Sequence, residues 1–412
     1  MTLLSEASFL VTPNGYKASK LYAAIPTNGN GDMTVTRATT ATRVNENDLV
    51  SSVASNIPRI DYTGGGCPSI LLEPLRTNIV LRSEEFNNAS FTPAFSSVSA
   101  NTTTAPDGTL TADTWTGDGA SAQHSLAQAV SATSGVAYTQ SVFAKKGTNN
   151  FLQIVGTGAI YTTTTVFANF DLENGIVGSL GAGTTSTITD FGNGWYRCTM
   201  TATATATALG NGFLLWLITS ATVVRAETNS LATSVHLWGA QVEAGAYPTS
   251  YIPTHTNTVT RNADVLSRDN IYTNNLIVAG GGTWFVHLIN NTAFTADSNT
   301  GAIYLDTSSV GYTNGLMLRK ETTGRIRLQT YVSASGSFIY TTTTDTVKIL
   351  FKWNGATADV FVNGAKVVSA TLFNITNMQY LASNSVIYAL IKETMLFPKP
   401  LTDAQCIALT TL

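Results

Sequence analysis

The stretch "VKILFKWNGATADVFVNGAKVVSA", residues 347–370, decides how the chain is read. Apolar and polar residues alternate through it, and the run breaks twice, at Asn354-Gly355 and at Asn363-Gly364. Period-two alternation is the signature of a strand with one face in a core. An Asn-Gly pair between two such runs predicts a two-residue hairpin loop, because both positions favour positive φ. The stretch therefore reads as consecutive antiparallel strands. Downstream, "PLTDAQCIALTTL" (400–412) carries Thr402 followed three residues later by Gln405, a capping box that opens a short helix. Cys406 falls inside that helix as a small buried apolar residue. Residues 276–412 are thus expected to form an all-β sandwich closed by a C-terminal helix.

The same logic extends upstream. Between 86 and 256, short β-forming runs alternate with turn dipeptides: Pro106-Asp107-Gly108, Asn174-Gly175 and the "GNG" of 192–194. Turn signals at this spacing predict a second β-sandwich. In "TATATATA" (201–208) threonines would line one face and alanines the other, a shallow face that reads as a strand at the sandwich margin or, alternatively, as a packing surface for another subunit. Residues 257–275 read as a connector, and their "TVTR" repeats the "TVTR" of 34–37. Residues 1–85 show no strong apolar face. They read as an extended N-terminal attachment arm and a strap, with Arg37, Arg43, Arg59, Tyr62 and Arg76 as the groups expected to make its contacts. The fold class expected is all-β, two jelly-roll-like sandwiches in tandem behind an extended arm.

Composition narrows the function. Charged residues make up 11% of the 412, the net charge is −3, and no Lys/Arg patch stands out. A general nucleic-acid binder would show one, so nucleic acid is not an expected partner. Three scattered cysteines form neither a disulfide framework nor a zinc motif, consistent with folding in a reducing cytoplasm. The N-terminus lacks a signal-peptide pattern, and the longest apolar run, "FLLWLI" (213–218), is too short to span a bilayer. A soluble chain without membrane insertion is expected.

No catalytic constellation is legible. Cys67 in "GGGCP" would need a nearby base, and His124, His236, His255 and His287 lie in no partner motif, so the run reads as a tight turn. Glycoside cleavage needs two opposed carboxylates. Asp171 and Glu173 in "FDLENG" read as turn-flanking residues rather than such a pair. No cofactor is expected; Asp297 and Asp306 are the loop acids to consider for Ca2+. For sugar binding, aromatic faces matter. In "WYRCTM" (195–200), Tyr196, Cys198 and Met200 share an inward face. Trp195 with Arg197 then forms either an outward platform or, for Trp195, a cap on the core. Trp353, beside Asn354-Gly355, is a second aromatic candidate, and Trp115 and Trp238 read as core. "YPTSYIPTH" (247–255) reads as an exit strap in which Tyr247 and Tyr251 stack on a neighbouring surface.

"TRATTATRVN", "PRIDYTGGGCPSILLEPLRTNIVLRSEEF" and "LWGAQVEAGAYPTSYIPTHTNTVTRNADV" resemble segments of tailed-bacteriophage tail-fibre and head-fibre structural proteins. The region holding "APDGTLTAD" and "FGNGWYRCTM" is similar to their carbohydrate-binding-module-like jelly rolls, and the last 140 or so residues resemble a concanavalin A/laminin G-like sandwich. The resemblance implies a non-enzymatic virion-surface protein. It would contact other virion proteins through its N-terminal arm and hold host-surface glycans, as a homo-oligomer, trimer or dimer. A purely architectural virion component and a polysaccharide depolymerase are the alternatives.

Overall fold

The structure is a computed structural model that describes residues 3–161, 165–289, 301–307, 314–321, 323, 325–332, 335–355, 357–371 and 378–412. It is built almost wholly of antiparallel strands, with one α-helix among the described residues, and it divides into two compact units. The first comprises Met1–Arg43, Val53–Leu75 and Asn262–Leu412; the second comprises Val44–Ser52 and Arg76–Arg261.

The first unit is a sandwich of two large sheets. One runs Ala365–Thr371, Thr357–Val362, Thr346–Asn354, Gly281–Ile289, Ala389–Phe397, Ser69–Leu72, Ile60–Asp61, with Phe9–Val11 also paired to Ala389–Phe397. The other contains Tyr16–Lys17, Lys20–Leu21, Met33–Thr36, Val265–Asp269 and Tyr380–Ser383 next to four strands from 301–342. The hairpin read from the sequence is present: Val362 pairs with Ala365 across Asn363-Gly364, both at positive φ. Thr402 and Gln405 close the predicted capping box on the helix Asp403–Thr410. That helix packs Cys406 with Phe285, Leu350, Phe361 and Phe397 on the outer face of the first sheet.

The expected arm does not exist as an arm. Phe9, Val11, Leu21, Met33 and Val35 sit in the same core as Trp284, Leu305 and Leu396. Ser69–Leu72 adds four more residues to the sheet through Ala389–Phe397. The reason is hydrogen-bonding economy. Each short strand can satisfy its backbone groups only beside another strand. These segments are two to four residues long. At that length alternation carries no readable period. The sandwich expected at 86–256 lies within the second unit, whose main segment is Arg76–Arg261, but the separate arm and the connector at 257–275 are absent, since each sheet of the first unit combines strands from both ends of the sequence.

The second unit is a sandwich of two six-stranded sheets. The first sheet runs Thr92–Ala94, Ser125–Ala132, Ala208–Leu217, Phe151–Val155, Phe167–Asp171, Ile176–Leu180. The second runs Ser96–Thr103, Ala112–Gly117, Ser234–Ala244, Ala137–Lys146, Trp195–Thr203, Thr184–Asp190. Leu126, Leu152, Ile154, Phe170, Phe213 and Leu215 from one sheet meet Trp115, Val142, Cys198, Met200, Leu237 and Val242 from the other. Cys198 and Met200 thus face inward, as read. "TATATATA" is strand only to Thr203; Ala202 and Ala204 are buried in this core rather than offered to another layer.

Candidate functional site

The sequence candidates resolve first. Trp195 is 2% exposed and donates its indole N–H to Thr104 O at 2.9 Å. Arg197 lies over the Phe143 ring and donates to Thr249 O (2.6 Å) and Ser141 Oγ (3.0 Å). The Trp195–Arg197 platform is therefore overturned in favour of the capping alternative. Both faces of this strand are buried, because residues 247–255 fold back over it. Tyr251 packs tilted against Trp238 at 4.7 Å and edge-on against Phe143 at 6.0 Å, so the exit strap is real. Trp353 is 1% exposed, and Gly282 faces its ring so closely that a Cβ there would lie 2.3 Å from Cζ2. It is core, and no ligand can reach it.

The arm and strap residues are internal struts. Arg37 and Arg59 are each 1% exposed and converge on Asp264. Arg37 Nη1 meets Asp264 Oδ1 at 2.8 Å, and Arg59 Nη1 reaches Glu73 Oε2 at 2.6 Å. Two acids beside Arg59 hold its pKa above the ordinary arginine value despite complete burial. Arg43 donates to Ile60 O (2.6 Å), and Tyr62 packs half-buried against the first unit's core. Arg76 stacks on Tyr247 at 5.1 Å with Glu243 at 3.6 Å. An attachment role fails for Arg37, Arg59 and Arg76, whose charge is met inside the fold; Arg43 and Tyr62 are partly buried and serve the same packing.

The remaining candidates follow the structural reading. Cys67 is exposed in a turn whose Gly64, Gly65 and Gly66 all have positive φ, and Lys392 Nζ donates to its carbonyl. His124 hydrogen-bonds Phe95 O, His236 Thr114, and His255 sits beside Glu85. His287 faces Glu393 at 3.6 Å. Asp171 accepts from the amides of Glu173 and Asn174, and Glu173 pairs with Lys146, so this pair shapes a turn. Asp297 lies outside the described residues. Asp306 is 2% exposed, and no group of three metal-ligating side chains occurs among the described residues.

A site that sequence reasoning missed lies on the outer face of the first sheet of the second unit. Register places Ser125, Trp216, Gln153 and Asn169 in one row across four strands, and Ala127 beside Leu214, Val155 beside Phe167, in the next. The loop 219–230 folds over this face. Asn169 Nδ2 donates to Ala221 O (3.1 Å) and Val223 O (2.8 Å). Gln153 Nε2 donates to Val224 O (3.2 Å), and its Oε1 accepts from Ala226 N (2.9 Å). Glu227 fixes the loop's start by accepting from Thr219 N (2.8 Å) and Oγ1 (2.6 Å). Buried amides that receive and donate in this way define one conformation.

The loop delivers Arg225. Its guanidinium sits 5.3 Å from the centre of the Trp216 ring, a cation–π contact, and Nη2 donates to Gly156 O at 3.1 Å. The side chain is half-buried, and burial pulls its pKa down from the ordinary value; no carboxylate among the described residues acts on it. Arg225 Nε, Trp216 Nε1 and Thr157 Oγ1 are buried and make no hydrogen bond among the described residues. Next to them Val224 is 75% exposed. The corner thus sets one positive charge, met by the Gly156 carbonyl and by no carboxylate among the described residues, beside an apolar side chain. It can hold an anionic oxygen acceptor. It offers neither a nucleophile with its base nor two opposed acids. The sequence hid it for a physical reason. "FLLWLI" is buried on both faces, so it shows no alternation that would single out Trp216. Arg225 lies in a loop with no periodic pattern at all.

No family model matches the chain, and no curated protein matches it. Among solved structures it is similar to the CBM40 of the Ruminococcus gnavus IT-sialidase, at 12% identity over 32% of this chain and 83% of that one, TM-score 0.25. It is similar to the binding domain of botulinum neurotoxin DC in complex with SialylT, at 11% identity over 36% of this chain and 39% of that one, TM-score 0.28. The NanB sialidase of Streptococcus pneumoniae, as its K499G mutant, matches at 16% identity over 35% of this chain and 26% of that one, TM-score 0.26. At these values no functional assignment passes to the chain from any of them.

Proposed function

We propose that this chain is a non-enzymatic contact protein that holds glycans at a particle surface. The observation that carries the reading is the Trp216–Arg225 corner: a rigid loop presents a half-buried cation, stacked on an indole, to solvent with no acidic partner. A protein that works by holding on needs such pre-set donors on a stiff scaffold. Two β-sandwiches with sealed interiors supply the scaffold. Asp171 and Glu173, the carboxylate pair weighed for glycoside cleavage, shape a turn.

Location and origin extend the same reading. The sequence segments resembling phage fibre proteins support reading the chain as a tail or head fibre component of a tailed bacteriophage, facing host-surface glycans and touching other virion proteins as a homo-oligomer. The N-terminal residues contribute to that particle as part of the first sandwich, because their strands are spent there.

A glycan array probed with the full chain tests the glycan reading. Binding to a restricted set of glycans is expected, with no release of reducing sugar from those ligands on incubation. An array without any bound glycan overturns it, and steady product release overturns the non-enzymatic part.

A further inference from the structure

We infer that the Trp216–Arg225 corner takes its ligand through a carboxylate carried on a sugar ring, so that the chain selects acidic over neutral glycans. The inference rests on the glycan-holding reading above and adds the chemical class.

The argument begins with charge. A guanidinium that is half removed from water loses solvation, and proteins normally compensate with an anion. Arg37 and Arg59 follow that rule through Asp264 and Glu73. Arg225 does not, although the loop that carries it is fastened by Gln153, Asn169 and Glu227. Such fastening fixes the guanidinium before any ligand arrives, which reduces the entropy lost on binding. Trp216 supports one face of the guanidinium, Gly156 O engages Nη2 and Nε is buried, which leaves the Nη1–Nη2 end of the planar fork for a two-point contact. A carboxylate matches that fork in charge, planarity and spacing. The Trp216 indole N–H beneath the guanidinium is buried and has no acceptor among the described residues, and no carboxylate there competes with a ligand for the cation. Exposed Val224 offers the apolar contact that the C–H face of a sugar ring uses.

A peptide fits less well. Strand addition needs a free backbone edge. The strand bearing Trp216 is paired on both sides, by Ser125–Ala132 and by Phe151–Val155, so no backbone groups are open there.

The test uses the full chain and three probes: D-glucuronate, D-glucose and a short polyglutamate peptide. Glucuronate and glucose differ only in the carboxylate. The readout is the Trp216 indole N–H resonance, assigned by its disappearance in Trp216→Phe. Glucuronate is expected to shift this resonance, with glucose at least tenfold weaker. Arg225→Gln is expected to abolish the preference at unchanged melting temperature, and Arg225→Lys, which keeps charge but not the fork, to retain a reduced part of it. Equal response to both sugars overturns the inference, as does an unaltered preference in Arg225→Gln. A response to polyglutamate alone also overturns it. A neutral-glycan array separates the two levels. If neutral glycans bind while glucuronate does not, the carboxylate inference falls and the glycan reading stands; if no glycan binds, both fall.

Discussion

Two arginines of the second unit, Arg197 and Arg225, occupy comparable places on opposite sheets. Each guanidinium lies over the outer face of a sheet against an aromatic ring, at 5.5 Å from Phe143 and 5.3 Å from Trp216; Arg197 projects from a strand beneath a covering strap, whereas Arg225 is carried by the covering loop itself. They differ in what the covering segment gives them. The strap at 247–255 brings Thr249 O to within 2.6 Å of Arg197 and closes it off at 8% exposure. The loop at 219–230 brings Arg225 in but supplies no acid, and its neighbour Val224 stays open to solvent. The first arrangement consumes a cation to weld a strap onto a sheet. The second holds a cation ready. Burial and stacking alone do not distinguish structure from function here; the accounting of donors and acceptors does.

If that accounting is right, the cost of removing a charged group should scale with how fully it is engaged. The first unit supplies the extreme. Asp264 receives Arg37, Arg59 and the amide of Glu73. Asp264→Ala leaves two buried guanidinium groups short of an anion, and a loss of about 3–5 kcal/mol is expected from the first unit's stability. Hydrogen exchange in the strand Val265–Asp269 would report it, and protection unchanged from the native chain would refute the proposed clasp. Next comes Arg197→Ala. It strips a donor from Thr249 O and Ser141 Oγ and leaves a void beside Phe143, for about 3 kcal/mol in the second unit. Chemical denaturation read through the Trp195 and Trp238 environment measures it.

The buried struts also explain which parts of the molecule were legible in the sequence. The Asn363-Gly364 hairpin and the Thr402–Gln405 box are local signals, settled within a few residues by φ and by one or two hydrogen bonds. The two-sandwich class followed from turn spacing. The interleaving of 9–72 with 262–397 was not legible, because a two-residue strand such as Tyr16–Lys17 has no period and its partners lie far away in sequence. The site failed for a related reason. In "WYRCTM" alternation correctly turned Cys198 and Met200 inward, but nothing in those six residues announces that Tyr251 will return to bury the opposite face. Arg225 depends on Gly156, Trp216 and Gln153, which the sequence sets between 9 and 72 positions away.

Lys320 is a further buried cation, in the first unit. It is 3% exposed, 5.9 Å from the Tyr388 ring, and burial lowers its pKa to about 7, with Asp345 opposing. The unfolded chain keeps the ordinary value near ~10.4. Between those values the unfolded state binds more protons than the folded one. Stability of the first unit should therefore rise as pH climbs from 7 toward 10 and stay flat with respect to this group below about 6. Lys320→Met should flatten that slope and add about 1–2 kcal/mol at pH 7, in the manner of other buried charges replaced by apolar groups. Melting temperatures across pH 6–10 for both proteins decide it; a native chain that loses stability over pH 7–10 through this residue would reverse the sign and remove the argument.

The smallest effect carries the most weight for the comparison. Arg225→Gln deletes a cation–π contact at a half-buried position and can keep a hydrogen bond to Gly156 O through its amide. Exposed cation–π contacts are worth about 0.5–1 kcal/mol. Against that stands the relief of a desolvated charge that nothing neutralises, which acts in the opposite direction. The two terms nearly cancel, so the expected change in the second unit's stability is below about 1 kcal/mol, several times smaller than for Arg197→Ala in the same sandwich. Thermal and urea unfolding of the two variants, run side by side, give the ratio directly. A cost for Arg225→Gln matching that of Arg197→Ala would mean that the loop at 219–230 depends on its arginine as the strap at 247–255 does. The guanidinium would then be a fastener like the others, and the distinction between a spent cation and a waiting one would disappear.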